Sequence, residues 1–158
     1  MSFEKAKEHL KKYGLEDKIR VFDVSSATVP LAAAAVGCEE DRIAKTLSFS
    51  VNGECALIVT SGKSKISNPK FKNFFGCKAV MLKFDEVEEK TGHSVGGVCP
   101  FGANKDVKIY LDESLKHFET VFPACGSANS AVELSTKELE LASGYTAWID
   151  VCKSEDEP

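Results

Sequence analysis

The order of secondary-structure signals in the sequence predicts an α+β domain. Three observations lead there. Asn52-Gly53 separates two strand-like runs, residues 43–51 and 55–60, and both turn residues tolerate positive φ, so the pair reads as an antiparallel hairpin. The helix signals are short, each with its own start or stop residue. Strands and helices then follow one another irregularly, without the regular βαβ winding of a parallel doubly wound sheet. At 158 residues the chain has the size of one domain, and folding at that length buries roughly 68–70% of the unfolded surface. No internal repeat, low-complexity tract or linker divides it, so residues 1–152 are expected to form a single domain and 153–158 a frayed acidic tail.

Each element has a local reason. Phe3, Ala6, Leu10 and Tyr13 recur at helical spacing with Gly14 placed to stop the helix, and residues 19–22 follow as a short strand. Thr28 caps a second helix that runs through Pro30 and the alanines 32–35 to Gly37. After the hairpin, Asn68-Pro69 starts a helix to Phe75, residues 79–82 read as a strand, and residues 85–91 as a charged helix closed by Gly92. Val107, Ile109 and Leu111 alternate with Lys108, Tyr110 and Asp112 as a half-buried strand, and residues 118–124 make another. Ser135-Thr136-Lys137-Glu138 is a capping box ahead of a last helix, and residues 145–151 form the last strand.

Composition excludes several function classes. An apolar fraction of 43% and a charged fraction of 28% are those of a globular domain. The charged start Met1-Ser2-Phe3-Glu4-Lys5 is unlike a signal peptide, and no apolar run approaches the ~18 residues of a spanning helix, so no membrane partner and a cytoplasmic location are expected. The six cysteines are scattered through apolar segments, which reads as reduced and mostly buried. Without a C-x-x-C or an H-x-x-x-H, neither a metal nor another cofactor is expected.

Four features could carry chemistry. In the strand 43–51 a period of two puts Lys45 on the same face as Ile43, Leu47, Phe49 and Val51, where an ammonium needs a carbonyl, a carboxylate or a ligand. A lysine whose stem is buried and whose head reaches water would satisfy the same pattern. Residues 91–102 hold four glycines and a proline, a loop that exposes backbone N–H groups yet matches neither a P-loop nor a dinucleotide fingerprint. Within it, Cys99 could act as a nucleophile with His93 or His117 as base, but Pro100 has no N–H to offer an oxyanion. Between Glu54 and Asp85 there is no acidic residue. That stretch holds Lys63, Lys65, Lys70, Lys72, Lys78 and Lys83 with Phe71, Phe74 and Phe75 among them, which is either a phosphate-backbone footprint or a solvated face over a core.

Three elements in this order resemble the YbaK/EbsC family, the prolyl-tRNA editing domain family: Arg42-Ile43-Ala44-Lys45-Thr46-Leu47, then Gly96-Gly97-Val98-Cys99-Pro100-Phe101-Gly102, then Gly126-Ser127-Ala128-Asn129 ahead of the helix at Ser135. The likeness spans residues 20–150, and the helix from Thr28 to Gly37 stands where the family has a helix ending in glycine. It implies a mixed, largely antiparallel, barrel-like sheet with surrounding helices. It further implies a pocket for the 3′ end of an aminoacyl-tRNA and a trans-acting deacylase that removes cysteine or alanine from mischarged tRNA for proline. The ester is already activated, so substrate-assisted chemistry without metal or cofactor suffices.

Carried over residue by residue, the likeness makes Lys45 the catalytic residue. Thr46, Gly96, Gly97, Val98, Cys99, Pro100, Phe101, Gly102, Gly126, Ser127 and Asn129 become the substrate-binding set. Lys63, Lys65, Lys70 and Lys72 would meet tRNA, with a prolyl-tRNA synthetase as a second partner. The chain departs from the family loop G-G-V-S-P-F-G by having Cys99 at the serine position. The alternative within the same fold is a non-catalytic module that binds a tRNA end or a synthetase.

Overall fold

A computed structural model of the chain describes residues 2–154. Helix α1 (Ser2–Lys11) lays Ala6 and Leu10 on the main core, both fully buried. Strand β1 (Ile19–Val21) and helix α2 (Val29–Val36) follow, and the Thr28 side chain accepts the Leu31 N–H as the N-cap of α2. Strands β2 (Ile43–Val51) and β3 (Glu54–Ser61) pair antiparallel through the turn at Asn52 (φ 51°) and Gly53 (φ 85°), the positive φ pair that hairpin chemistry requires. Strand β4 (Ser64–Ile66) leads into α3 (Asn68–Phe75), which starts at Asn68 as expected from sequence and is capped by Ser67.

After α4 (Val87–Thr91) come β5 (Lys108–Asp112), β6 (Thr120–Pro123), β7 (Ser130–Val132) and β8 (Leu134–Ser135). Helix α5 (Thr136–Ser143) begins at the expected capping box, with Ser135 and Glu138 exchanging hydrogen bonds. Strands β9 (Ala147–Ile149) and β10 (Cys152–Ser154) end the described chain.

The architecture is α+β, with six strands in the order β8-β6-β2-β3-β5-β9 forming a curled sheet. Two of its ladders are antiparallel, β2–β3 and β6–β8, and three are parallel, β2–β6, β3–β5 and β5–β9. Two antiparallel pairs, β1–β7 and β4–β10, flank it. The main core lies between one face of the sheet and α1 with α5, through Leu10, Val59, Leu111, Val132 and Leu139. The other face of β2 and β3 packs Phe49 and Ile58 on Phe71 of α3, where Phe49 and Phe71 stand 5.0 Å apart.

Several expectations are corrected. Residues 79–82 form no full strand and touch β2 through the Phe49–Met81 bridge. The last expected strand breaks at 150–151, because the chain turns there to pair Cys152, Lys153 and Ser154 with β4. Residues 153 and 154 are therefore ordered strand, not tail, while 155–158 lie outside the described residues. Of the six cysteines, Cys99, Cys125 and Cys152 are buried and Cys38, Cys55 and Cys77 half-buried, all as free thiols. Among the described residues no helix is long and apolar enough to cross a membrane.

Candidate functional site

The site begins at an opening in the sheet. On its outer edge β2 pairs with β6 only at Ile43 and Ala44. Farther along the same strand the Ser48 carbonyl accepts the Leu82 N–H at 3.0 Å, and the Ser50 N–H donates to Val80 O at 2.8 Å. Thr46 lies between these two contacts, where neither neighbour reaches the strand. A cavity of about 440 Å³ occupies this gap, within the usual size of small-molecule sites. Its floor is residues 43–48 of β2. Its walls are Ser26, Ala27, Thr28, Val29 and Ala32 at the start of α2, the loop residues Val95, Gly96 and Val98, the segment Ala124, Ser130 and Ala131 with Phe122, and Met81 with Val87.

Lys45 is in that lining, and among the described residues it is the only charged one there. Its alternation with Leu47 and Phe49 follows the strand period, since cross-strand pairs are Lys45–Thr60, Leu47–Ile58 and Phe49–Ala56. The inward ammonium is met by carbonyls: Nζ donates to Gly62 O at 3.1 Å and to Ser64 O. This arrangement ties the β3–β4 connection to the cavity floor. A lysine chosen only for snorkelling would need no such partners.

The two glycine-bearing motifs meet backbone to backbone. A Cβ at Gly97 would stand 2.3 Å from the Ser127 N atom and 2.4 Å from the Gly126 carbonyl carbon, so only glycine fits. A Cβ at Gly126 would stand 2.4 Å from Ser2 O, and one at Gly102 would stand 2.7 Å from Lys5 O, which seats both loops on α1. The rest of the later turn is spent on bracing. Ser127 Oγ donates to Asn129 Oδ1 at 3.0 Å, and Asn129 Nδ2 donates to Phe22 O at 3.1 Å.

The structure therefore splits the sequence-derived set. Lys45, Thr46, Gly96 and Val98 line the cavity, whereas Gly97, Cys99, Pro100, Phe101, Gly102, Gly126, Ser127 and Asn129 do not. Cys99 and Phe101 are fully buried in the main core, and Pro100 is buried beside them. Burial pushes the Cys99 thiol far above its ordinary range, opposite to what a nucleophile needs. Its neighbour His93 gives no base. His93 Nε2 faces Phe101 O at 2.7 Å, and a carbonyl only accepts, so that nitrogen holds the proton and cannot take one from Cys99 Sγ at 3.6 Å. His117 is exposed on a separate surface. The reading of Cys99 as a cavity residue is corrected by its packing: its loop is anchored from below by His93 and α1.

Of the lysines, Lys63, Lys65 and Lys72 are exposed, Lys63 beside the Gly62 carbonyl that holds Lys45. Lys70 differs, because its Nζ donates to Asp150 Oδ1 at 3.1 Å and to Cys152 O at 2.9 Å. Sequence reasoning missed Ser26, Val29, Met81 and Val87 in the cavity wall. Ser26 stands two residues before a helix cap, a weak signal, and the others carry none beyond being apolar. Among the described residues no group of three His, Cys, Asp or Glu side chains is arranged to hold a metal ion.

The chain is similar to several known proteins. The profile of the aminoacyl-tRNA editing domain matches residues 24–141. The uncharacterized protein YwhH of Bacillus subtilis (strain 168) is 51% identical over 97% of this chain and 98% of its own. The proline–tRNA ligase of Bacillus cereus (strain AH820) is 26% identical over 80% of this chain, a match that spans 20% of the ligase. A solved chain described as a candidate trans-editing enzyme for prolyl tRNA synthetase superposes with a TM-score of 0.85 at 30% identity, covering 97% of this chain and 98% of that one.

Proposed function

The chain belongs to the aminoacyl-tRNA editing domain family, related to the prolyl-tRNA editing domains, and we propose that it is a trans-acting deacylase that clears small amino acids from mischarged tRNA for proline. Cysteinyl and alanyl esters are the substrates the family likeness favours. The observation that carries the proposal is the open cavity on the β2 edge, with Lys45, Gly96 and Val98 in its lining. A filled cavity would have favoured the non-catalytic alternative. The terminal adenosine would lie at the mouth with the acyl group inside, and Lys45 would hold the ester or the terminal phosphate as charge develops on the carbonyl oxygen. No protein nucleophile is required, because the ester is activated and its ribose brings a neighbouring hydroxyl.

The direct test is a deacylation panel. Transfer RNA for proline, charged separately with cysteine, alanine, serine and proline, should lose a small non-cognate amino acid at catalytic protein concentration and keep proline. Turnover of none of them would remove the proposal. Binding of the same tRNA should weaken steeply with salt, and a Lys63→Gln, Lys65→Gln, Lys72→Gln variant should show a shallower salt slope with the same acyl preference. Lys70 is left intact in that variant, since its ammonium is engaged with Asp150. An unchanged slope would make the lysines a solvated face only.

Cys99→Ser separates an orienting pocket from a covalent enzyme. Because Cys99 is buried away from the cavity, the variant should keep turnover within a few-fold of the parent. Single-turnover rates, with mass spectrometry of the quenched parent, check this. A dead variant together with an acyl adduct on Cys99 would establish the covalent route instead.

A further inference from the structure

We propose that the cavity reads the acyl side chain by hydrogen bonding, and that seryl esters are preferred over alanyl esters at this site. The inference rests on the deacylase reading above and goes beyond it in naming the acyl class. Its basis is two hydroxyls. Ser26 is 7% exposed, and its backbone is fixed because its N–H donates to Ala128 O at 2.6 Å. Thr46 lies on the floor, at the unpaired point of the β2 edge. Both residues line the cavity, and both hydroxyl oxygens are buried without a hydrogen-bond partner among the described residues.

Of the other hydroxyls in the same lining, Thr28 accepts the Leu31 N–H as a helix cap, Ser130 contacts Ser127 Oγ and donates to Cys125 O, and Ser48 is not among the buried hydroxyls left without a partner. Buried polar atoms in native structures have protein or water partners in the great majority of cases, and of the unpartnered ones among the described residues these two share one cavity, where a ligand's polar group can reach both. The rest of the wall is mostly apolar, including Val29, Ala32, Leu47, Met81, Val87 and Val98. Such a wall fits a small acyl group and gives a polar side chain no other partner.

The acyl groups differ in what they offer. A seryl hydroxyl both donates and accepts, a cysteinyl thiol does each weakly, and an alanyl methyl does neither. Seryl and cysteinyl have nearly the same shape, so a cavity that takes one takes the other. A site with unpaired buried hydroxyls discriminates against the analogue that leaves them unpaired far better than an apolar pocket discriminates by size. The competing use of the hydroxyls is to accept from the α-ammonium, which every aminoacyl ester has. That use would give no preference among acyl groups.

The experiment measures single-turnover deacylation of one tRNA charged with serine, alanine or cysteine, by the parent, Ser26→Ala and Thr46→Val. We expect seryl hydrolysis to exceed alanyl in the parent, and each variant to lower the seryl-to-alanyl ratio roughly tenfold, about the effect of one buried hydrogen bond. A ratio that stays constant while all rates fall would assign the hydroxyls to the α-ammonium and overturn the proposal. So would a parent that prefers alanyl. Non-hydrolysable seryl and alanyl 3′-amides of adenosine keep the test independent of turnover. If no ester is hydrolysed, the deacylase reading fails, and the binding ratio of the two amides across the same proteins still decides this one. Equal binding by the parent overturns it.

Discussion

Replacing Lys45 by alanine is expected to lower deacylation on the order of 10²–10³-fold, the loss seen when one well-placed donor to a developing oxyanion is removed. The same substitution should also cost stability, contrary to what the sequence pattern alone implies. From the pattern, an ammonium on an apolar strand face looks like a liability whose removal is neutral or helpful. In the fold that ammonium donates to Gly62 O and Ser64 O, and its removal leaves two carbonyls at the β3–β4 connection without their donor. The expected cost is about 1–3 kcal/mol. Lys45→Met keeps most of the buried stem and removes the ammonium, so it isolates the loss of the charge and its two donated hydrogen bonds from the loss of packing. Both variants should remain folded in thermal unfolding and both should be inactive. A folded Lys45→Met protein with the parent's single-turnover rate would remove Lys45 from the chemistry and leave it as a fastener of the β3–β4 turn.

What could be read in advance follows from how local each signal is. The hairpin at Asn52-Gly53, the cap at Thr28 and the capping box at Ser135 are decided by residues within four positions of one another, and each stands in the structure as expected. Strands β4, β7, β8 and β10 were not legible. Each has two or three residues, too few for a period of two to appear, and each exists because a distant segment pairs with it. The same division runs through the site. Lys45 and Gly96 announce themselves by an odd charge on an apolar face and by a glycine cluster. Ser26 and Met81 reach the cavity only because α2 and the segment after α3 fold over the β2 edge. The glycine loop also misled in part. Residues 97 and 99–102 are constrained by close packing on α1 and on the 126–128 turn, so their composition reports how the loop is held and not what touches a ligand.

The fastening of that loop gives the largest expected effect on stability, at His93. The ring is fully buried, its Nε2 donates to Phe101 O at 2.7 Å, and its Nδ1 accepts from Ser2 Oγ at 2.8 Å, while Ser2 Oγ accepts the Ser94 N–H at 3.2 Å. One imidazole thus joins the start of α1 to both ends of the loop beneath the cavity. His93→Ala leaves a cavity and two polar groups unpaired, and a loss of about 3–5 kcal/mol is expected, enough to unfold a marginal domain. The pH dependence tests whether the ring is buried neutral. Burial lowers the His93 pKa in the folded state, the hydrogen bond to Phe101 opposes it, and Lys5 and His9 add smaller lowering, so the folded protein holds the ring neutral while the unfolded chain protonates it near pH 6.5. The stability this neutral ring supplies is complete above about pH 6.5 and is lost as pH falls below it toward the folded-state value, by at most about 1.4 kcal/mol per pH unit for one proton. Urea midpoints between pH 8 and pH 5 should fall for the parent. They should fall less for His93→Gln, which keeps a donor and an acceptor but does not titrate. Parallel midpoints for the two proteins across that range would show that folding leaves the His93 pKa unshifted.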